Sequence, residues 1–397
     1  MRLRTLTTYV CDAFRTNWVF VRLETEDGLE GWGEATLEYR EHTVEQALLA
    51  LEAGLRGRDL ADIQGWWQDA YRDAYWRGGV VLTSALSAVE MALWDLKGKA
   101  LGVPVHQLLG GAVRTEVPCY ANGWFAGARE ASAFADKAVE AVEWGYSALK
   151  WDPLGSAFRT LDPGALRRSM RIVEAVSAAV GDRAEIIVEG HGRFEMPTAA
   201  RIARALEDVD VLWFEEPLIP GNLRNYALLR ERTRTPISLG ERLYTRWDFR
   251  EVFAGGAADV VQPDVSHAGG IWETRTIAAM AELWQVSFAP HNPSGPVANA
   301  ATLQLAACTP NFTLLETMAT DVPWRAEVAR EASVISRGVA TVPDAPGLGV
   351  EVDADALARL PYQRHDLRHY TGALTDIRPE SSVARHAGPA DHEGEDR

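Results

Sequence analysis

Three glutamates, each closing a short apolar run, are the residues of this chain best placed to do chemistry together. Glu189 follows Ile186-Ile187-Val188, Glu215 follows Val211-Leu212-Trp213-Phe214, and Glu241 follows Ile237-Ser238-Leu239 with Gly240 between; both steps are 26 residues. A run of β-branched and aromatic residues reads as a strand buried on both faces. About twenty residues between such runs hold one helix and two short loops, a βα unit. Carboxylates ending three successive parallel strands converge on one point and repel unless a cation compensates. With no Cys or His in the same register, oxygen donors suit Mg²⁺ better than Zn²⁺. One such glutamate alone reads as a helix cap, or as a partner for Arg193 or Arg242. Three in matched positions read as metal ligands.

Polar residues close further runs on both sides, at Lys150, Asp264, His291 and Glu316. With the strand around Tyr120 these make eight strands, the number that closes a (β/α)₈ barrel, whose active site lies at the C-terminal strand ends. An open doubly wound sheet is the alternative; the absence of a Gly-rich phosphate turn and the spread of polar ends over so many strands disfavour it. His191 falls two residues after Glu189 and points the same way in an extended strand. Asp264 and His291 end neighbouring strands, where a carboxylate fixes the imidazole tautomer and raises the basicity of its other nitrogen. Lys150, its pKa lowered beside a cation, is a candidate base. A protonated Glu316 is a candidate donor to a substrate oxygen. Singly, these residues read as a snorkelling lysine, structural histidines and a cap. Around three carboxylates they suit removal of the proton α to a substrate carboxylate, with a metal stabilising the enediolate. Reprotonation then gives racemisation or epimerisation, and loss of a β-hydroxyl gives dehydration.

Before the barrel, Leu6 to Val10 and Trp18 to Leu23 read as strands, and Thr43 to Leu55, Ile63 to Trp76 and Ser84 to Ala100 as helices. Thr83 or Ser84 serves as the cap of the last helix, and Gly102 with Pro104 ends it. The expected organisation is an α+β capping domain over residues 1–116, a barrel over 117–334, a segment 335–378 returning to the cap, and a disordered tail over 379–397. The chain of 397 residues carries a net charge of −16, which argues against nucleic acid and anionic membranes as partners. Cys11, Cys119 and Cys308 are few and far apart, so no disulfide framework is expected. No signal peptide or apolar run of about 18 residues is present, and a cytoplasmic protein is expected.

The stretches LWFEEP, SLGERL, VVQPDVSHAGGI, FAPHNPSGP and LLETM together resemble the mandelate racemase subgroup of the enolase superfamily. VEGHGRF is similar to the D-x-H-G-R stretch of its acid-sugar dehydratases, and GWGEA and ALWDLKGKALGVPVHQLLGG extend the likeness into the first domain. The resemblance implies a capping domain over a (β/α)₇β barrel. It implies Mg²⁺ at Glu189, Glu215 and Glu241, an Asp264–His291 base dyad, and Glu316 as a hydrogen-bonding acid. It implies His191 as the group assisting departure of the β-hydroxyl. Two positions depart from the pattern. The first ligand is Glu where the family has Asp, and Lys150-Trp151-Asp152 keeps one lysine where racemases carry K-x-K. The second departure weakens a racemase and leaves dehydration of an aldonate or aldarate ahead.

In such enzymes cap loops select the substrate, and Arg15, Asn17, Tyr39 and Arg40 are the candidates here, with Asp152 and Arg242 on the barrel side. The expected protein is a Mg²⁺-dependent acid-sugar dehydratase acting on a small molecule as a homo-oligomer. A cycloisomerase or epimerase shares the enediolate step. A silent sugar-acid-binding protein is the rival from another class, although binding alone needs no proton-transfer dyad.

Overall fold

The computed structural model describes residues 1–72, 75–366 and 375–385. The chain opens with an antiparallel sheet of β1 (Leu3–Asp12), β2 (Asn17–Thr25) and β3 (Glu30–Glu34). Against it pack α1 (Glu41–Leu55) and α3 (Val80–Leu101), with α2 (Ile63–Arg72) lying on those two helices, followed by the single turn α4 (Val105–Leu108). Helix α3 starts earlier than its periodicity suggests. Gly79 occupies the cap position, and Thr83 and Ser84 lie inside the helix, each donating to the carbonyl four residues back. Gly102 ends the helix in the left-handed conformation, as expected.

The second part alternates. Its strands are β4 (Glu116–Asn122), β5 (Ala148–Trp151), β6 (Glu185–Glu189), β7 (Trp213–Glu215), β8 (Ile237–Leu239), β9 (Val260–Val261), β10 (Ser287–Phe288) and β11 (Leu315–Met318). The intervening helices are α5 (Ala131–Glu143), α6 (Pro163–Val180), α7 (Met196–Leu206), α8 (Leu223–Arg230), α9 (Thr245–Gly255), α10 (Ile271–Leu283) and α11 (Pro296–Cys308). Each strand pairs in parallel with the next from β4 to β10, and β11 pairs with β4. A bridge between Phe288 and Phe312, with Thr313 N donating to Phe288 O, brings the last strands together. The result is a capping domain on a TIM-like barrel.

The two parts are sewn together by carboxylates. Glu34 of β3 accepts from the backbone N–H groups of Gly295, Val297 and Ala298, at the start of α11. Glu90 of α3 accepts from Ile271 N and Trp272 N, at the start of α10. Both carboxylates are fully buried and complement the positive ends of barrel helices. One turn earlier on α3, Ser87 Oγ accepts from Gly269 N, and one turn before that Ser84 meets His267.

After β11 a hairpin of Ile335–Ser336 and Val339–Thr341 adds to β4 of the barrel, and the chain then reaches the cap. Asp12 N donates to Leu360 O, and Asn17 exchanges two hydrogen bonds with the backbone of Gln363. Part of the expected disordered tail is ordered: Val383–Ala384 pairs with Thr320–Asp321, and Arg385 reaches Asn299 and Glu331. The rest of that tail, 386–397, lies outside the described residues. The three cysteines are free and buried. Among the described residues no helix is long and apolar enough to cross a membrane.

Candidate active site

Inward-facing residues of the barrel form layers, because alternate residues of a strand share a face. Tyr120, Ala148, Ile187, Trp213, Val260 and Ala289 make one apolar layer. Two residues further along the chain from each stand Asn122, Lys150, Glu189, Glu215, Gln262 and His291, the last two just past the ends of β9 and β10. The polar layer is therefore the next step of one pleat. Glu189 and Glu215 are register partners across β6 and β7. Glu241 follows Gly240, which turns at a φ of +144° and where a Cβ would come within 2.8 Å of Gln262 N.

Ligand atoms of Glu189, Glu215 and Glu241 all lie within 4.8 Å of one another. Lys150 is the cation among them: its Nζ is 2.6 Å from Glu215, 2.8 Å from Glu316 and 3.6 Å from Glu189. Burial, and then repulsion by Glu215, pushes the Glu189 carboxyl well above its ordinary range. Burial acts the same way on Glu215, but Lys150 outweighs it and holds that carboxyl down. The cluster carries more negative charge than its neighbours neutralise, and every donor is oxygen. A hard divalent cation fits, and the extra methylene of Glu189 does not keep its carboxylate from the other two. Burial would lower Lys150, but Glu215 and Glu316 raise it well above the ordinary value, so it is held charged.

Two imidazole–carboxylate pairs stand at the cavity. His291 Nδ1 is 2.7 Å from Asp264 Oδ2, with Ser266 N donating to Asp264 Oδ1. Burial alone would lower His291, but Glu241, whose Oε2 is 3.2 Å from Nε2, and then the bond to Asp264 lift it to about 9. His191 Nδ1 is 2.5 Å from Asp152 Oδ2, and Arg193 donates to the same oxygen at 2.6 Å. His191 sits at a φ of +50°, a conformation histidine tolerates better than most residues. Asp152 lines the cavity, and its oxygens are engaged by His191, Arg193 and Leu154 N. Glu316 is fully buried and accepts from Asn122, Lys150 and Asn292 N.

The cavity has a volume of about 400 Å³ between barrel mouth and cap. Arg15, Tyr39, Lys150, Glu189, His191, Glu241, Arg242 and His291 line it. Asn17 does not reach it: the side chain is fully buried between Glu41 and Gln363. Arg40 is exposed and bonds the carbonyl of Tyr39. Loop position alone could not separate these two from Arg15, because register within the loop decides which side chain turns inward. Sequence reasoning missed Asn122 and Gln262, which the pleat arithmetic would have found. It also missed His267 and Ile377, which line the cavity from a loop and from the C-terminal segment.

Comparison with known proteins shows what the whole chain is similar to. Residues 5–110 match the family model for the mandelate racemase / muconate lactonizing enzyme N-terminal domain, and residues 133–356 the enolase C-terminal domain-like model. A D-galactonate dehydratase of Variovorax paradoxus is 38% identical over 93% of this chain and 97% of its own length. A D-gluconate dehydratase of Thermoproteus tenax is 38% identical over 86% of this chain and 69% of its own. Among solved structures, a mandelate racemase/muconate lactonizing enzyme-like protein from Rubrobacter xylanophilus superposes with a TM-score of 0.85 at 35% identity. That match covers 91% of this chain and 98% of the other.

Proposed function

The chain belongs to the mandelate racemase / muconate lactonizing enzyme family of the enolase superfamily, and from that premise we propose that it dehydrates a sugar acid to the 2-keto-3-deoxy acid. The observation that carries this reading is the pair of imidazole–carboxylate dyads flanking one carboxylate cluster. Glu189, Glu215 and Glu241 would hold Mg²⁺, a Lewis acid for the substrate carboxylate and for the charge that develops on it. His291 Nε2 takes the α-proton while Asp264 keeps the Nδ1–H, so the imidazolium forms in place. The electron pair of the broken C–H bond first moves onto the substrate carboxylate as an enediolate, and then returns to form the Cα–Cβ double bond as the β C–O bond breaks. His191 gives its Nε2 proton to the departing hydroxyl, with Asp152 holding Nδ1, and water leaves. The enol then tautomerises to the 2-keto acid. Lys150, held charged, faces the substrate carboxylate. Arg15, Tyr39 and Arg242 contact the remaining substrate groups.

The galactonate and gluconate dehydratases that align over most of the chain support this substrate class. A cytoplasmic homo-oligomer fits the buried free thiols and the exposed aromatic side chains of Tyr75, Trp76 and Trp247.

The test is incubation with a library of acid sugars and Mg²⁺, followed by detection of 2-keto acids as semicarbazones. Release of a 2-keto-3-deoxy acid is expected. Epimerised or cyclised acids with no keto product would move the protein to the sister reactions. Binding without any conversion would make it a silent sugar-acid receptor.

A further inference from the structure

We infer that His267 determines specificity: its Nε2 accepts a hydrogen bond from a hydroxyl on the substrate's carbon chain, in a tautomer imposed by Ser84 of the capping domain. The inference rests on the acid-sugar reading above and adds a residue and a selectivity to it.

Ser84 Oγ is 2.6 Å from Val80 O and 2.8 Å from His267 Nδ1. A carbonyl oxygen brings no proton to such a contact, so the single hydroxyl proton lies on the line to Val80. Ser84 can then only accept from the imidazole, which places the proton on Nδ1 and leaves Nε2 with a bare lone pair. Burial, partly offset by Asp264, lowers the His267 pKa and keeps the ring neutral.

No hydrogen bond reaches Nε2 among the described residues. Asp264 Oδ2 is 4.0 Å away and already engaged by His291. His267 lines the cavity, as do Val80 and Glu38 of the cap. A bare ring nitrogen there asks for a donor, and an O–H is what a polyhydroxylated acid supplies.

The same lone pair repels a second carboxylate, and the cations of the wall do not compensate. Arg15 is 2.5 Å from Glu38, Lys150 2.6 Å from Glu215, Arg193 2.6 Å from Asp152, and Arg242 2.8 Å from Glu241. Each already has a carboxylate of this chain. The site therefore favours a monoacid ending in hydroxyls over the corresponding diacid.

The experiment combines ¹⁵N-imidazole NMR of the Mg²⁺-loaded protein with kinetics on D-galactonate, D-gluconate and galactarate. In the wild type His267 should carry its proton on Nδ1 between pH 6 and 8, and a saturating aldonate should move the Nε2 signal. His267→Phe should raise KM for the aldonate about tenfold, the scale of one lost hydrogen bond, with a smaller change in kcat. His267→Gln, which restores an acceptor, should recover most of that loss, and Ser84→Ala, which frees the tautomer, should raise KM less. Galactarate should be a poor substrate throughout. A proton on Nε2, a stationary Nε2 signal at saturation, or an unchanged KM in His267→Phe would overturn the inference. Wild-type protein that converts none of the three acids would instead defeat the dehydratase reading, and the tautomer and titration would still decide the role of His267.

Discussion

Asp152 stands 2.5 Å from His191 Nδ1, the same relation that Asp264 bears to His291 at 2.7 Å. Each carboxylate fixes the ring nitrogen away from the reacting centre and leaves the other nitrogen for proton transfer. The protein thus has two imidazoles, each bonded through Nδ1 to a carboxylate, in the loops that follow β6 and β10.

Their roles separate in isotope exchange. His291→Asn should stop both turnover and exchange of the substrate α-proton with deuterated solvent, by about 10²–10⁴-fold. His191→Asn should block release of the keto acid by a similar factor while the enediolate still forms. Deuterium at the α-carbon, measured by mass spectrometry, is the observable. Normal exchange in His291→Asn would move the base elsewhere.

Removal of one carboxylate tests the metal cluster. Glu215→Gln should weaken Mg²⁺ binding at least a hundredfold in calorimetry and abolish activity, with the circular dichroism spectrum unchanged. Undiminished affinity would take Glu215 out of the ligand set.

The cap residues divide by where their side chains point. Arg15→Ala should raise KM about tenfold, since Arg15 lines the cavity; Arg40→Ala, which removes an exposed side chain, should leave it unchanged. Equal effects of the two substitutions in steady-state kinetics would contradict this division.

Glu90 makes stability depend on pH. Burial raises its pKa from 4.5 to about 7 despite three N–H donors. The native state then holds a proton that the unfolded chain releases, so this contribution is full below pH 4.5 and is lost as pH rises through 7. The shift corresponds to on the order of 3 kcal/mol. Denaturant titrations from pH 5 to 8 should show a falling contribution in the wild type and a flatter profile in Glu90→Gln. An unaltered slope would mean that Glu90 is already ionised across that range.

The barrel was legible because its strands are short, buried on both faces and closed by polar residues at near-constant spacing. The positions of Glu189, Glu215 and Glu241 follow from that rhythm, and their convergence from the parallel pairing of β6 to β8. What was not legible depends on side-chain direction in irregular backbone. Asn17 looked like a loop residue able to reach a ligand, yet it ends as the buried tie between β2 and the returning chain. Asp152 reads as a substrate contact, and its partnership with a histidine 39 residues away has no signal in the sequence. His267 carried no signal because its role is set by a serine 183 residues away on another domain.

The carboxylates that cross from cap to barrel also limit how the protein can be taken apart. Cutting between the two would strip the first amides of α10 and α11 of their acceptors and leave Glu34 and Glu90 facing water. A chimera carrying another protein's cap keeps these acceptors in place when the graft brings acidic residues at the positions of Glu34 on β3 and Glu90 on α3.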